Sequence, residues 1–188
     1  MFVGLKYFLL LSLMVLVDCD SYSDLIKSET FIKIEPLKIN LSPNLTLDQV
    51  DCELTVHKDS CRNEAMRTED TISWYTNVCI KWKCLARNVA IKVHKCWAGS
   101  KKTPVVMIGE DGCTAEGSMI KSPYYNPNSL NEAQSYGRLS VRVLGHNTIK
   151  LGCTISLCDY CDTKCLKKNV SLIQFEINYS FNLASNVQ

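Results

Sequence analysis

Past Val17 this 188-residue chain has no apolar run long enough to cross a bilayer, which takes about 20 apolar residues. It has almost no excess of one charge. The formal net charge is +2, which gives no pull toward nucleic acid or an anionic membrane. There is no internal repeat and no low-complexity segment. G-x-S-x-G, H-E-x-x-H and the phosphate-binding P-loop are all missing, so the common hydrolase, metalloprotease and nucleotide-binding arrangements have no carrier here. Only one C-x2-C pair occurs, and His57, His94 and His146 are scattered. No catalytic residue, cofactor site or metal site is expected, and the chain reads as a non-enzyme.

What the chain does have begins at its N-terminus. Lys6 precedes an apolar run from Tyr7 to Val17, and charge returns at Asp18 and Asp20. This pattern predicts a secretory signal peptide over residues 1–19, cut after Cys19. About 170 residues would remain, enough for one domain with a short extension. Eleven cysteines are present, and losing Cys19 leaves ten. An even number in an oxidising compartment reads as a disulfide framework. Four glycosylation sequons fit the same route, at Asn40, Asn44, Asn169 and Asn178. Asn40 and Asn178 lie on the polar side of alternating stretches, where a glycan would not disturb a core.

Period-two alternation dominates the rest. Leu37, Ile39 and Leu41 share one face, as do Val89, Ile91 and Val93, then Leu139, Val141 and Val143, then Leu151, Cys153, Ile155 and Leu157. The longest such stretch runs from Ile173 to Leu183. Each is a half-buried strand candidate, because successive side chains point to opposite faces of a sheet. Turn-rich pieces separate them, and only Ser129–Ser135 looks able to form a helical turn. Many short strands with turns between them predict a sandwich. Residues 20–50 lack cysteine after the cut and read as a leader to the cross-linked body.

Four cysteines crowd into "LGCTISLCDYCDTKC" at 151–165. Zinc would use Cys158, Cys161 and Cys165. Redox chemistry would need the Cys158/Cys161 pair at a helix start. Export and a polar loop setting favour the third reading, structural cross-links. Cys153 shares the apolar face with Ile155 and Leu157, so its sulfur is expected to staple the two sheets. Cys158 has the opposite parity and opens the loop.

Other polar groups have structural explanations that outweigh chemical ones. "GEDG" at 109–112 offers two carboxylates for calcium, but Gly and Asp also suit a tight turn. Glu64, Glu69 and Asp70 read as a solvated loop rather than an acid–base pair. His94 falls on the polar side of its strand and is expected to be exposed. Trp82 and Trp97 flank cysteines and are expected to pack against them. Tyr124 and Tyr125 lie in "SPYYNP", where one ring is expected to tuck under the loop.

The ordered set "CELTV", "IKWKC", "IKVHKCWAGS", "VVMIGEDGCTAEGSMIKSPYY", "LNEAQSYGRLSV" and "IKLGCTISLC" resembles the C-terminal half of the zona pellucida (ZP) module, especially in nematode cuticlin-like proteins. The match covers residues 51–165, with 166–188 left as a C-terminal strand or tail. The resemblance implies an all-β, immunoglobulin-like sandwich (ZP-C type) stapled by disulfides. It implies Cys96–Cys153 across the sheets, Cys113–Cys165 and Cys158–Cys161. It also implies Cys52–Cys84, which would leave Cys61 with Cys79. The residues themselves leave the three pairings of those four open.

The chain departs from full ZP modules in two ways. About thirty residues separate the expected signal peptide from Cys52, too few for the polymerising half, and Lys167-Lys168 is a weak dibasic candidate for cleavage. The resemblance thus implies a secreted, non-enzymatic matrix protein, of cuticle for instance, acting by protein–protein association as an accessory subunit. Its partners would be other extracellular matrix or ZP-domain proteins, or further copies of itself. No nucleic acid and no membrane span are expected in the mature chain. The alternative is a diffusible ligand or receptor-binding module on the same fold.

Overall fold

The computed structural model describes residues 29–162, apart from 44, 47, 49, 87, 144 and 145. The stretch read as a signal peptide, Asn44, Cys165, Lys167, Lys168, Asn169, Asn178 and the alternating stretch at 173–183 lie outside the described residues. Among the described residues ten strands form: β1 (Thr30–Ile34), β2 (Lys38–Leu41), β3 (Cys52–Lys58), β4 (Thr71–Ile72), β5 (Asn77–Cys84), β6 (Val89–Gly99), β7 (Pro104–Ile108), β8 (Tyr124–Asn126), β9 (Ser129–Arg138) and β10 (Thr148–Asp159). No α-helix occurs among the described residues.

The strands make two sheets. One runs β4-β1-β10-β6-β7, with β2 also on β10, and the other runs β3-β5-β9-β8. Their inner faces share one core, which includes Val56, Ile80 and Trp82 from the smaller sheet and Ile91, Val93, Leu151, Ile155 and Leu157 from the larger. Each such side chain contributes roughly 1.5–3 kcal/mol on burial. The protein is therefore a β-sandwich. The sequence alternation at 38–41, 89–93 and 151–157 falls on β2, β6 and β10, with the apolar positions inward.

Residues 30–41, within the stretch read as a leader, pair in the larger sheet. Strand β1 runs parallel to β10 from Phe31↔Thr148 to Ile34↔Leu151, and β2 continues from Lys38↔Thr154 to Leu41↔Leu157. The segment has one residue more than β10 between these two pairings. Glu35, Pro36 and Leu37 occupy that break, and Pro36 removes a ladder donor there. Glu35 is fixed by Lys101 at 2.9 Å and Lys150 at 3.2 Å. Hydrogen bonds from Lys101 first and then Lys150 hold its carboxyl below the usual range.

Two expectations for the stretch between 129 and 143 are corrected. Ser129–Ser135 is not a helical turn but most of β9. Its inward residues are small because those of β5 are large. Ala133 lies opposite Trp82, Ser135 opposite Ile80, and Gly137 opposite Val78. That complementarity erases the apolar alternation on which a strand reading depends. Leu139–Val143 is not a strand. Its buried Leu139 and Val141 plug the end of the sandwich where the chain crosses between sheets, and Val141 Cγ1 lies 3.2 Å from where a Cβ on Gly99 would sit.

The bonds Cys52–Cys84, Cys61–Cys79 and Cys96–Cys153 form, but Cys96–Cys153 does not staple the two sheets as expected. Cys96–Cys153 joins β6 to β10, and Cys52–Cys84 joins β3 to β5. In both cases the two strands are neighbours within one sheet. Cys153 lies opposite a bulge of β6, where Gly152 faces Trp97 but Thr154 faces His94, and Lys95 adopts φ 51°. Cys61–Cys79 ties a surface loop to the outer face of β5. No bond with both ends described runs from sheet to sheet, so the apolar core holds the sheets together.

The C-terminal pairings change as well. Cys158 is disulfide-bonded, and Cys161 is an exposed free thiol. Cys158 is fully buried in β10 opposite Ala90, whereas Cys161 lies in the turn beyond, its N–H on Asp159 Oδ1. The implied Cys158–Cys161 bond is therefore not formed. Cys113 is likewise an exposed free thiol, which replaces the implied Cys113–Cys165 bond. It sits in the turn after β7, with its N–H on Asp111 Oδ1.

Candidate functional site: the outer face of the four-stranded sheet

The positions of β5 and β9 that do not point to the core form a polar face. Glu132, Gln134, Tyr136 and Arg138 lie opposite Lys83, Lys81, Cys79 and Asn77. Glu132 pairs with Lys83 at 3.4 Å and with Lys81 at 4.0 Å. Both lysines are partly solvated, so these pairs add little stability. On the β3 side the Cys61–Cys79 bond pins the following loop over His57, which is buried. His57 Nδ1 lies 2.8 Å from the Asn63 carbonyl, so it carries the proton. Nε2 then accepts from the Thr55 hydroxyl at 2.9 Å. That histidine is a structural clamp.

At the foot of this face is a groove of about 450 Å³ between the start of β5, the end of β9 and the segment 117–121. That segment runs beside β9, with Lys121 N–H on the Tyr136 carbonyl and Arg138 N–H on the Met119 carbonyl. The approach is so close that a Cβ on Gly137 would lie 2.0 Å from the Met119 carbonyl oxygen. Arg138 Nε donates to Asn77 Oδ1 at 2.9 Å. Asp59, at φ 63°, donates its N–H to the Asn77 carbonyl and brings a carboxylate to the rim. The sequence reading missed this group because its members come from three distant stretches and β9 hides its strand character.

The remaining candidates stand apart from one another. His94 is buried, not exposed, and its Nε2 lies 2.9 Å from Ser156 Oγ. Burial, then Lys92 and Lys95, push its pKa down, and Glu110 opposes them. The pair has the atoms of a hydrolytic dyad, but both residues are buried. Glu64 and Glu69 are exposed in a polar loop, and Asp70 accepts the Arg67 N–H there. "GEDG" forms a turn closed by Gly112 N–H on the Gly109 carbonyl. Its Glu110 is held below the usual carboxylate range by a hydrogen bond from Lys95 at 2.9 Å. No group of three or more His, Cys, Asp or Glu arranged to hold a metal occurs among the described residues.

Trp82 is fully buried, while Trp97 lies on the outer face of the larger sheet, its ring over Gly152. Tyr124 is exposed, and Tyr125 is tucked in, its hydroxyl accepting the Val93 N–H at 3.0 Å. Burial pushes the Tyr125 phenol up to about 12. Asn40, the described sequon residue of β2, is exposed on the outward side of its strand. No helix among the described residues is long and apolar enough to cross a membrane.

No protein-family model matches the chain. It is 35% identical over 157 residues, 79% of its own length, to Cuticlin-like protein 19 of Caenorhabditis elegans. The chain spans 65% of that relative's length. Aligned over most of its own sequence at that identity, the chain is a relative of a cuticlin-like protein.

Proposed function

We propose that the protein is a secreted, non-enzymatic structural component of an extracellular matrix of the cuticle kind, acting by association with other matrix proteins. The similarity to a cuticlin-like protein along most of the chain carries this reading. The disulfide-stapled sandwich supports it, because bonds at Cys52–Cys84, Cys61–Cys79 and Cys96–Cys153 suit an oxidising compartment. The fold also offers contact points. Trp74 and Tyr75 are exposed in a turn pinned by Ser73 and Thr76, whose hydroxyls lie 2.8 Å apart. Exposed aromatics on a rigid turn lose little freedom on contact. Pro104, Val105 and Val106 are exposed on β7, an edge strand suited to strand addition.

Fractionation of tissue expressing a tagged full chain tests this. The expected result is retention in the detergent-insoluble matrix fraction. Quantitative recovery in body fluid would overturn it in favour of a diffusible ligand. The accessory role has its own test, since purified protein is expected to sediment as a monomer or dimer. Long filaments of the pure chain would reject that role.

A further inference from the structure

We propose that the groove at the foot of the four-stranded sheet binds an acidic polysaccharide, with Arg138 taking the carboxylate or sulfate and Tyr136 and Tyr124 stacking on the sugar rings. Arg138 is oriented by Asn77 through Nε alone, and it makes no ion pair among the described residues. Its two terminal nitrogens therefore remain for an anion, in the fork geometry that suits carboxylate and sulfate. Lys121 lines the same groove, also without an ion pair among the described residues, and its backbone N–H is fixed by the Tyr136 carbonyl. Lys81 and Lys83, higher on the same face, share Glu132 instead. Two cations, Arg138 and Lys121, thus line the groove against one carboxylate, Asp59.

The aromatic groups extend the groove along the sheet. Tyr136 is 40% exposed and Tyr124 is 54% exposed. Tyr124 pairs with Gln134, two residues before Tyr136, which makes the two tyrosines diagonal neighbours on one face. A pyranose ring presents a flat C–H face that stacks on such rings. Its hydroxyls donate to carboxylate oxygens, which Asp59 supplies at the groove. An acidic peptide has no flat C–H face to cover two tyrosines, so the paired rings favour a saccharide. Binding there requires nothing of the matrix reading, since a freely soluble chain carries the same groove.

The test uses the purified secreted full chain in calorimetric titration at fixed salt. The probes are a heparin-derived octasaccharide, a hyaluronan octasaccharide, a chitin hexasaccharide and a poly-glutamate peptide. The acidic saccharides are expected to bind, with the heparin and hyaluronan arms separating sulfate from carboxylate recognition. Arg138→Gln is expected to weaken binding about tenfold or more, as loss of a charge-assisted fork does. Tyr136→Ala is expected to weaken it about fivefold or more, as loss of a stacked aromatic contact does. Lys83→Gln on the same face is expected to change it less than about twofold, because its charge is shared with Glu132. Should Arg138→Gln fail to fold, Lys121→Gln combined with Tyr124→Ala reads the same groove. Failure of both acidic saccharides to bind overturns the proposal. So does poly-glutamate binding as tightly, or affinity insensitive to Tyr136→Ala, either of which would mark a general charge effect.

Discussion

Replacing Cys96 and Cys153 together by alanine tests what the sulfur bridges do. The two residues are 57 apart in sequence, so the bond closes a long loop in the unfolded chain. The chain-entropy relation gives about 4 kcal/mol for a loop of that length. For Cys61–Cys79, 18 residues apart, the same relation gives about 3 kcal/mol. Cys96 and Cys153 are both buried, so their loss also removes packing. Urea unfolding, followed by tryptophan fluorescence and far-ultraviolet circular dichroism, measures the change. With a slope of about 2 kcal/mol per molar urea, the midpoint should fall by about 2 M. The sheet spectrum in native buffer should persist, because Cys96–Cys153 lies inside one sheet and the core joins the two. Loss below about 1 kcal/mol would refute the loop-closure account. Collapse of the sheet spectrum before any urea is added would show that the bond, not the core, holds the sandwich together.

Tyr125 makes stability depend on alkaline pH. Its phenol is pushed up to about 12 in the fold from 10.0, so the folded state binds this proton more tightly than the unfolded state. The contribution is complete below pH 10 and is lost as pH rises toward 12, for a total of about 2–3 kcal/mol. Tyr125→Phe should remove that decline in denaturant midpoints. It should also cost about 1–3 kcal/mol at neutral pH by leaving the Val93 N–H without its acceptor. Gly152→Ala should displace the Trp97 ring, since the new Cβ would sit 2.7 Å from its Nε1, and the tryptophan emission should shift to the red. Native maleimide labelling read by peptide mass spectrometry should modify Cys113 and Cys161 and spare Cys52, Cys61, Cys79, Cys84, Cys96 and Cys153. An unmodified Cys113 would mean that it is paired in the native protein.

The sandwich itself was legible in the sequence because strands such as β6 and β10 carry large apolar residues at every second position. That periodicity depends only on local geometry, so Ile91, Val93, Ile155 and Leu157 announce their face without knowledge of neighbours. Strand β9 was not legible, because its inward residues are sized by Trp82, Ile80 and Val78 on a strand some fifty residues away. His94 misled for a related reason: its polarity signals exposure, but Ser156 on β10 meets it and both are buried. Cysteine number was read from composition, while the strands each sulfur joins depend on register. The β6 bulge turns Cys96 toward its in-sheet neighbour rather than the opposite sheet. The groove with Arg138, Asn77, Tyr136 and Asp59 belongs wholly to tertiary structure, because strand pairing alone brings those residues together. Sequence thus determined the period and the chemistry of each segment. Packing decided which segments met, since side-chain contact across strands carries no trace in local order.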